Sequence, residues 1–339
     1  MQKMIDIPRQ VLVEEELMQP GMTSCQGCAA PISMKIALKA LGERTVVVLP
    51  ACCFAVFVGG YPYSSLKVPI IHCPFETAAV VASGAAAALD VRGEKDVVVM
   101  AWAGDGGTFD IGMQALSGAA ERNENILFVC YDNEAYMNTG IQRSSATPMG
   151  AWTTTTPAGS IKEESKKDIE QIMLAHHISY MATASAAYPD DMFRKFKKAR
   201  QITGMKFIHL LSACPPGWRI DPANSIQVMR MATQSNVFPI YEVSKLRFSK
   251  DNQRFEEDWE YTINVFPERK VSVKGYLKSQ GRFGLITDEM IDYTQKKVDR
   301  KWNELVQKQD KTNQVIQRQA GITSISTPSL LSFDQLDQS

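Results

Sequence analysis

The chain lacks an excess of charge of either sign. Lysine plus arginine and aspartate plus glutamate stand at 37 each among 339 residues, for a formal net charge of zero. That balance removes the electrostatic case for nucleic acid or an anionic membrane surface. Long apolar runs are missing as well. The least polar stretch, Ala78 to Leu89, is mostly alanine and falls short of the roughly 20 residues a membrane span requires. It reads as a buried helix. The N-terminus, Met1-Gln2-Lys3-Met4-Ile5-Asp6-Ile7-Pro8, has no apolar core and no small-residue cleavage site, which argues against a secretory signal and for the cytoplasm. Histidine is scarce, at four residues, and His176-His177 and His209 read as structural. The chain shows no internal repeat.

Short β-branched or apolar runs recur: Thr45 to Leu49, Val97 to Ala103, Ile126 to Tyr131 and Phe207 to Leu211. Runs of this length suit strands buried on both faces. Helical stretches lie between them. Pro31 to Leu41 opens with a proline suited to a first turn, Ile111 to Arg122 carries an apolar stripe, and Pro189-Asp190-Asp191 opens a third, running into the basic segment Lys195 to Arg200. That basic segment reads as an exposed helix face. Alternating strands and helices predict an α/β fold, a doubly wound and mostly parallel sheet. The length admits one large or two ordinary domains. The character changes near residue 240, so residues 1–240 are expected to form one strand-and-helix domain and residues 241–339 a charged, strand-poor extension that contacts a partner. A helix is expected there from Asp288 to Gln307, and the Gln-, Ser- and Thr-rich tail from Gln314 is expected to wrap a partner or stay partly mobile.

Gly104-Asp105-Gly106 closes one apolar run, and 28 residues after that aspartate Asn133 follows another, in Tyr131-Asp132-Asn133-Glu134. Asp and Asn offer oxygen ligands to a hard ion such as Mg²⁺, which needs only one or two protein side chains when phosphate oxygens supply the rest. Twenty-eight residues leave room for one crossover helix, so both ligands fall at the carboxyl edge of a parallel sheet, where open α/β folds bind ligands. Gly106 and Gly107 carry no side chain to obstruct phosphates. A helix start near Asp110 or Ile111 adds partial positive charge.

Seven cysteines in a chain without a secretory signal do not suggest disulfides. Cys25-Gln26-Gly27-Cys28 places two thiols within reach of one metal, and Cys53 and Cys214, each after a strand-like run, join them if the same sheet edge carries them. Spacing leaves zinc and an iron-sulfur cluster equally open. Cys73 and Cys130 read as core residues.

Taken with their order, Cys25-Gln26-Gly27-Cys28, Cys53, Gly104-Asp105-Gly106-Gly107-Thr108-Phe109-Asp110-Ile111-Gly112 and Tyr131-Asp132-Asn133-Glu134-Ala135-Tyr136-Met137-Asn138-Thr139-Gly140 resemble the β subunits of pyruvate:ferredoxin oxidoreductase and other 2-oxoacid:ferredoxin oxidoreductases. Tyr61-Pro62-Tyr63, Lys67-Val68-Pro69, Gln142 to Pro148 and Cys214-Pro215-Pro216-Gly217-Trp218 extend the match over roughly residues 20 to 240. The resemblance implies a diphosphate-domain fold and a thiamine diphosphate site around Gly104, Asp105, Gly106 and Gly107. It implies Mg²⁺ held by Asp105, Asn133 and the Ala135 carbonyl, and a catalytic Asn138 beside the thiazolium ring. It also implies a four-iron, four-sulfur cluster on Cys25, Cys28, Cys53 and Cys214.

The implied activity is oxidative decarboxylation of a 2-oxo acid, pyruvate first, with coenzyme A taking the acyl group and ferredoxin the electrons, or the reverse carboxylation. The thiazolium supplies the electron sink that an acyl carbon lacks, and a cluster accepts electrons one at a time. Implied partners are an α subunit bringing the pyrimidine-binding domain and catalytic glutamate, and γ/δ-type subunits. Glu76 and Glu134 are the acidic candidates within this chain for that glutamate role. Arg143 and the threonine run 153–156 lie in the following loop, where a solvated role and a substrate-facing one are equally open. The chain departs from the family's pattern at Cys52 and Ala29, where glycine is common. The rivals are other 2-oxo acids (oxalate, aryl or branched-chain), a non-redox decarboxylase or carboligase with zinc, and an electron-transfer or assembly subunit without the cofactor.

Overall fold

The computed structural model describes residues 15–245, 259–267 and 270–319. The helices are α1 (Ala29–Leu41), α2 (Cys53–Phe57), α3 (Ala78–Val91), α4 (Met113–Glu121), α5 (Ile169–Ala175), α6 (Pro189–Gln201), α7 (Pro215–Trp218), α8 (Ser225–Gln234), α9 (Val273–Lys278) and α10 (Asp288–Gln319). The strands are β1 (Thr45–Pro50), β2 (Ile70–Cys73), β3 (Val98–Gly104), β4 (Leu127–Asp132), β5 (Tyr180–Ser185), β6 (Lys206–Leu211), β7 (Ile240–Lys245) and β8 (Trp259–Val265). They form one sheet in the order β2-β1-β3-β4-β6-β5-β7-β8. β1 to β6 run parallel, and β7 and β8 are antiparallel additions at one edge.

Alternation along the strands feeds two cores. Along β3, Met100 and Trp102 face α1 and α6, while Val99, Ala101 and Ala103 face α3, α4 and α5. The sheet is covered on both sides, which is why its strands read as continuous apolar runs. β2 and β1 lie on one side of the point where the chain reverses direction across the sheet, and β3 starts the other. Such a switch point opens a crevice beyond the carboxyl ends.

Four expectations change. The segment after residue 240 is not strand-poor: β7 and β8 continue the same sheet, built on Ile240, Tyr241, Val243 and Ile263 between charged neighbours. The half-buried edge strand β8 and the exposed end of β7 tolerate the charges that obscured them. The helix beginning at Asp288 runs on to Gln319, and α10 packs against β8. Helix α3 buries only one face, on Ala78, Ala79 and Ala82, while Val80 is 50% and Val91 89% exposed. Lys195, expected on an exposed face, is buried, where its Nζ donates to Asp191 Oδ2 (2.7 Å) and to the Thr183 carbonyl (2.8 Å). The i,i+4 carboxylate satisfies the charge that composition alone assigned to solvent. The first 14 residues and those beyond 319, including most of the expected tail, lie outside the described residues. Among the described residues no helix is long and apolar enough to cross a membrane.

Candidate active site

Parallel strands end on the same rim, and the register decides what meets there. Gly104, last in β3, pairs with Tyr131 of β4, and Asp132 pairs with Leu211 of β6. Asp105 and Asn133 are therefore the first residues past two neighbouring strand ends. Cys53 follows β1, and Cys214 follows β6 by three residues.

Asp105 is buried and opens a π-helical turn, Gly106–Asp110, that leads toward α4. Its Oδ2 accepts from Ser144 Oγ at 2.6 Å. Asn133 Oδ1 lies 3.0 Å from Asp105 Oδ1 and 3.0 Å from the Ala135 carbonyl oxygen. The hydrogen-bonded orientation of this amide is the reverse, with its NH₂ donating to both; with Oδ1 turned inward, three oxygens converge. An octahedral ion with bonds of about 2.1 Å spaces adjacent ligand oxygens about 3.0 Å apart, so the residues fit Mg²⁺. Turning the amide over lets its NH₂ donate to the same two acceptors, so the trio accommodates either two N–H donors or one cation. Burial, and then the nearby Asp132 carboxylate, push the Asp105 carboxyl well above the usual range, against the pull of Ser144. A carboxylate so placed needs a cation opposite it to stay ionised.

A cavity of about 140 Å³ adjoins this trio, lined by Gly104, Asp105, Gly106, Gly107, Asn133 and Asn138 among others. Gly106 has a further reason to be glycine: a Cβ there would stand 2.2 Å from the Tyr136 ring, whose hydroxyl donates to Asp110 Oδ2 (2.8 Å). A second cavity, also about 140 Å³, is lined by Cys25, Cys28, Cys53 and Cys214. The two cavities share Cys53, Tyr131, Asn133 and Asn138 as a common wall. All four sequence-predicted thiols are brought together, and Cys52 opens only on the first cavity. Burial, then the neighbouring cysteines, push the Cys53 thiol up to about 12. Burial chiefly does the same to Cys214, also to about 12. Thiols in such surroundings release their protons to a metal. Among the described residues no three His, Cys, Asp or Glu side chains close on a point able to hold a single metal ion. The four thiols line one cavity.

Of the expected core cysteines, Cys130 is buried and Cys73 half-buried. Neither acidic candidate lines the first cavity. Glu76 is exposed, and Glu134 turns away to pair with Lys166 (2.9 Å) and Arg282 (2.5 Å). Arg143 pairs with Glu164 in solvent at 2.8 Å, and residues 153–156 form a tight turn in which Thr156 Oγ1 donates to the Thr153 carbonyl. His176 bonds Ser117 and its own helix.

Sequence reasoning missed the other side of the β4 end. Asp132 accepts from Lys166 Nζ (2.5 Å) and pairs with His209 Nε2 (2.8 Å), whose Nδ1 meets Glu170 (2.8 Å), which in turn meets Lys301 (3.2 Å). Although burial opposes it, Lys166 and His209 hold Asp132 below the ordinary range. The members lie far apart in sequence, and no local signal joins them. Ser144 stood inside a motif already noted, Gln142 to Pro148, but only the fold aims it at Asp105.

Residues 53–210 match the thiamine pyrophosphate enzyme C-terminal TPP binding domain. The ketoisovalerate oxidoreductase subunit VorB of Pyrococcus abyssi is 45% identical over 311 residues, covering 88% of this chain and 96% of that subunit. The pyruvate synthase subunit PorB of Methanothermobacter thermautotrophicus is 44% identical over 295 residues, covering 86% and 98%. The chain belongs to the 2-oxoacid:ferredoxin oxidoreductase family. It is a thiamine pyrophosphate enzyme β subunit, and its fold is that of the family. A 2-oxoglutarate:ferredoxin oxidoreductase from Magnetococcus marinus, solved with 2-oxoglutarate, coenzyme A and succinyl-CoA bound, shares that fold at a TM-score of 0.52 and 22% identity, over 68% of this chain and 82% of that one.

Proposed function

We propose that this chain is the β subunit of a cytoplasmic hetero-oligomer that oxidises a 2-oxo acid with coenzyme A and ferredoxin, or runs the reverse carboxylation. Asp105, Asn133 and the Ala135 carbonyl hold Mg²⁺ and, through it, the diphosphate. Gly104, Gly106 and Gly107 line the space it enters. Cys25, Cys28, Cys53 and Cys214 hold a four-iron, four-sulfur cluster. Bound thiamine diphosphate supplies the electron sink for decarboxylation. Ser144 keeps Asp105 aimed by donating to the oxygen that does not face Asn133. Asn138, on the wall between the cavities, bonds the substrate. The catalytic glutamate comes from an α subunit, consistent with Glu134 being engaged elsewhere, and γ/δ-type subunits complete the assembly.

The observation that carries this reading is the shared wall. Three oxygens spaced for a hard cation and four thiols lining one cavity meet across Tyr131, Asn133 and Asn138, which suits two-electron chemistry handed to a one-electron carrier. Pyruvate is the first substrate expected. Ketoisovalerate is a second, because relatives named for either acid stand at 44–45% identity. Anaerobic purification with native partners, followed by viologen reduction assayed acid by acid, separates them. Iron and labile sulfide at one cluster per chain are expected, and stoichiometric zinc would remove the redox reading. In the same preparation Mg²⁺-dependent thiamine diphosphate binding should be lost in Asp105→Ala, and equal binding by both forms would refute the site.

A further inference from the structure

The loop that carries the oxygen trio is not held by the trio itself. Between Asn133 and Ala135 stands Glu134, a non-glycine residue at φ 69°, in the left-handed region where an L-residue persists only when its surroundings hold it. Its side chain leaves the cofactor side. Oε1 meets Lys166, and Oε2 accepts from Arg282 at 2.5 Å, across 148 residues of sequence. The same Arg282 guanidinium lies 4.3 Å from the centre of the Trp218 ring, and Trp218 Nε1 donates to the Asn133 carbonyl at 2.8 Å. Trp218 closes the short turn of α7 that Cys214 opens, with its backbone N–H on the Cys214 carbonyl (2.8 Å). Arg282 is itself fixed. It is 2% exposed, its Nε donates to Gln280 Oε1 (3.0 Å), and its carbonyl accepts from Trp152 N–H (2.8 Å).

We propose that Arg282 is a positioning residue that sets the Asn133–Ala135 oxygens for Mg²⁺ and ties that loop to the Cys214 turn. One buried guanidinium reaches the loop twice, once through the Glu134 carboxylate and once through the indole that holds the Asn133 carbonyl. A planar, five-donor cation can stack on a ring and fork to a carboxylate together. The inference rests on the magnesium site proposed above and extends it to a residue of the C-terminal segment.

The test is a calorimetric titration of thiamine diphosphate at graded Mg²⁺ into the full chain in its native assembly, with thermal unfolding of the cofactor-free form recorded alongside. Arg282→Met should raise the Mg²⁺ needed for half-saturation about tenfold or more, and Arg282→Lys, which keeps a cation for Glu134 but not the stack on Trp218, should recover only part of it. A purely structural brace predicts a lower melting temperature with Mg²⁺ dependence unchanged in the folded fraction, and that result would overturn the proposal. Should Arg282→Met fail to fold, Glu134→Gln carries the same expectation and the same refutation. Wild-type protein that binds no thiamine diphosphate would remove the magnesium reading, and this inference with it. Normal wild-type binding beside an unaffected Arg282→Met removes the inference alone.

Discussion

The two sides of the loop after β4 are built by opposite means. On the cofactor side, the buried Asp105 carboxylate meets Ser144 and the Asn133 amide and, among the described residues, has no cation in a salt bridge with it. On the far side, Asp132, Glu134 and Glu170 meet Lys166, His209, Arg282 and Lys301, so that each carboxylate already has a cation. Buried polar groups are costly unless paired. The incomplete side is therefore where a ligand gains most by binding, and the complete side is where the fold holds its shape. Substitutions on the first side should cost binding or electron transfer with little loss of fold. Those on the second should cost the fold first, except Arg282 and Glu134, which touch the Asn133–Ala135 loop and should also cost the Mg²⁺ requirement.

The largest expected effect is on the incomplete side. Cys53→Ser should eliminate iron, labile sulfide and the cluster absorption near about 400 nm, together with viologen reduction, while thermal unfolding and Mg²⁺-dependent thiamine diphosphate binding change little. Cys52→Ser should keep the iron, because Cys52 opens on the cofactor cavity and not on the thiol cavity. Iron retained by the first variant and lost by the second would exchange their roles.

On the complete side, His209→Leu should act on stability. The ring is buried between Asp132 and Glu170. Although burial disfavours its charge, those two carboxylates raise its pKa above the ordinary value. Removing the partner of buried carboxylates costs about 3 kcal/mol or more, moderated here by Lys166 and Lys301. Urea unfolding should show that loss, with the Mg²⁺ requirement nearly unchanged. An intact midpoint combined with a weakened Mg²⁺ requirement would erase the division between the two sides.

That division also marks what could be read in the sequence. Asp105, Asn133, Ala135, Cys53 and Cys214 sit just after strand ends, so their meeting follows from parallel topology, while Cys25 and Cys28 come from the loop before α1. The strands at 45–50, 98–104, 127–132 and 206–211 were visible because both faces are buried and the apolar run is unbroken. β5, Tyr180–Ser185, was hidden by its Thr and Ser residues: Thr183 Oγ1 donates to the Pro239 carbonyl (2.7 Å), a partner 56 residues away. Arg282 and Lys301 were illegible for the same reason. A charged residue in a charged segment looks solvated until the fold shows it a carboxylate, and composition near residue 280 carries no sign of Glu134.

The smallest effect lies at the other end of the sheet, and it checks that buried charge costs stability when it is not paired. Lys206, at the start of β6, is buried with Asn125 Oδ1 (2.7 Å) as its hydrogen-bond acceptor and, among the described residues, no carboxylate in a salt bridge with it, and burial alone lowers its pKa to about 8. In the unfolded chain a lysine titrates near about 10.4. Between those values the unfolded chain binds more protons, so this group makes stability rise with pH. Below about 8 both states are charged and the full cost of burying the cation remains. Lys206→Met removes that cost and loses one hydrogen bond, while Asn125 still accepts from the Gly204 N–H (3.2 Å). The variant should therefore be more stable at pH 7 by about 1–2 kcal/mol, and its advantage should shrink as pH rises through 8 toward 10. Urea unfolding of both forms at pH 7 and 10 measures the convergence. Parallel curves would mean that Lys206 is neutralised by a partner and belongs with the satisfied charges behind β4.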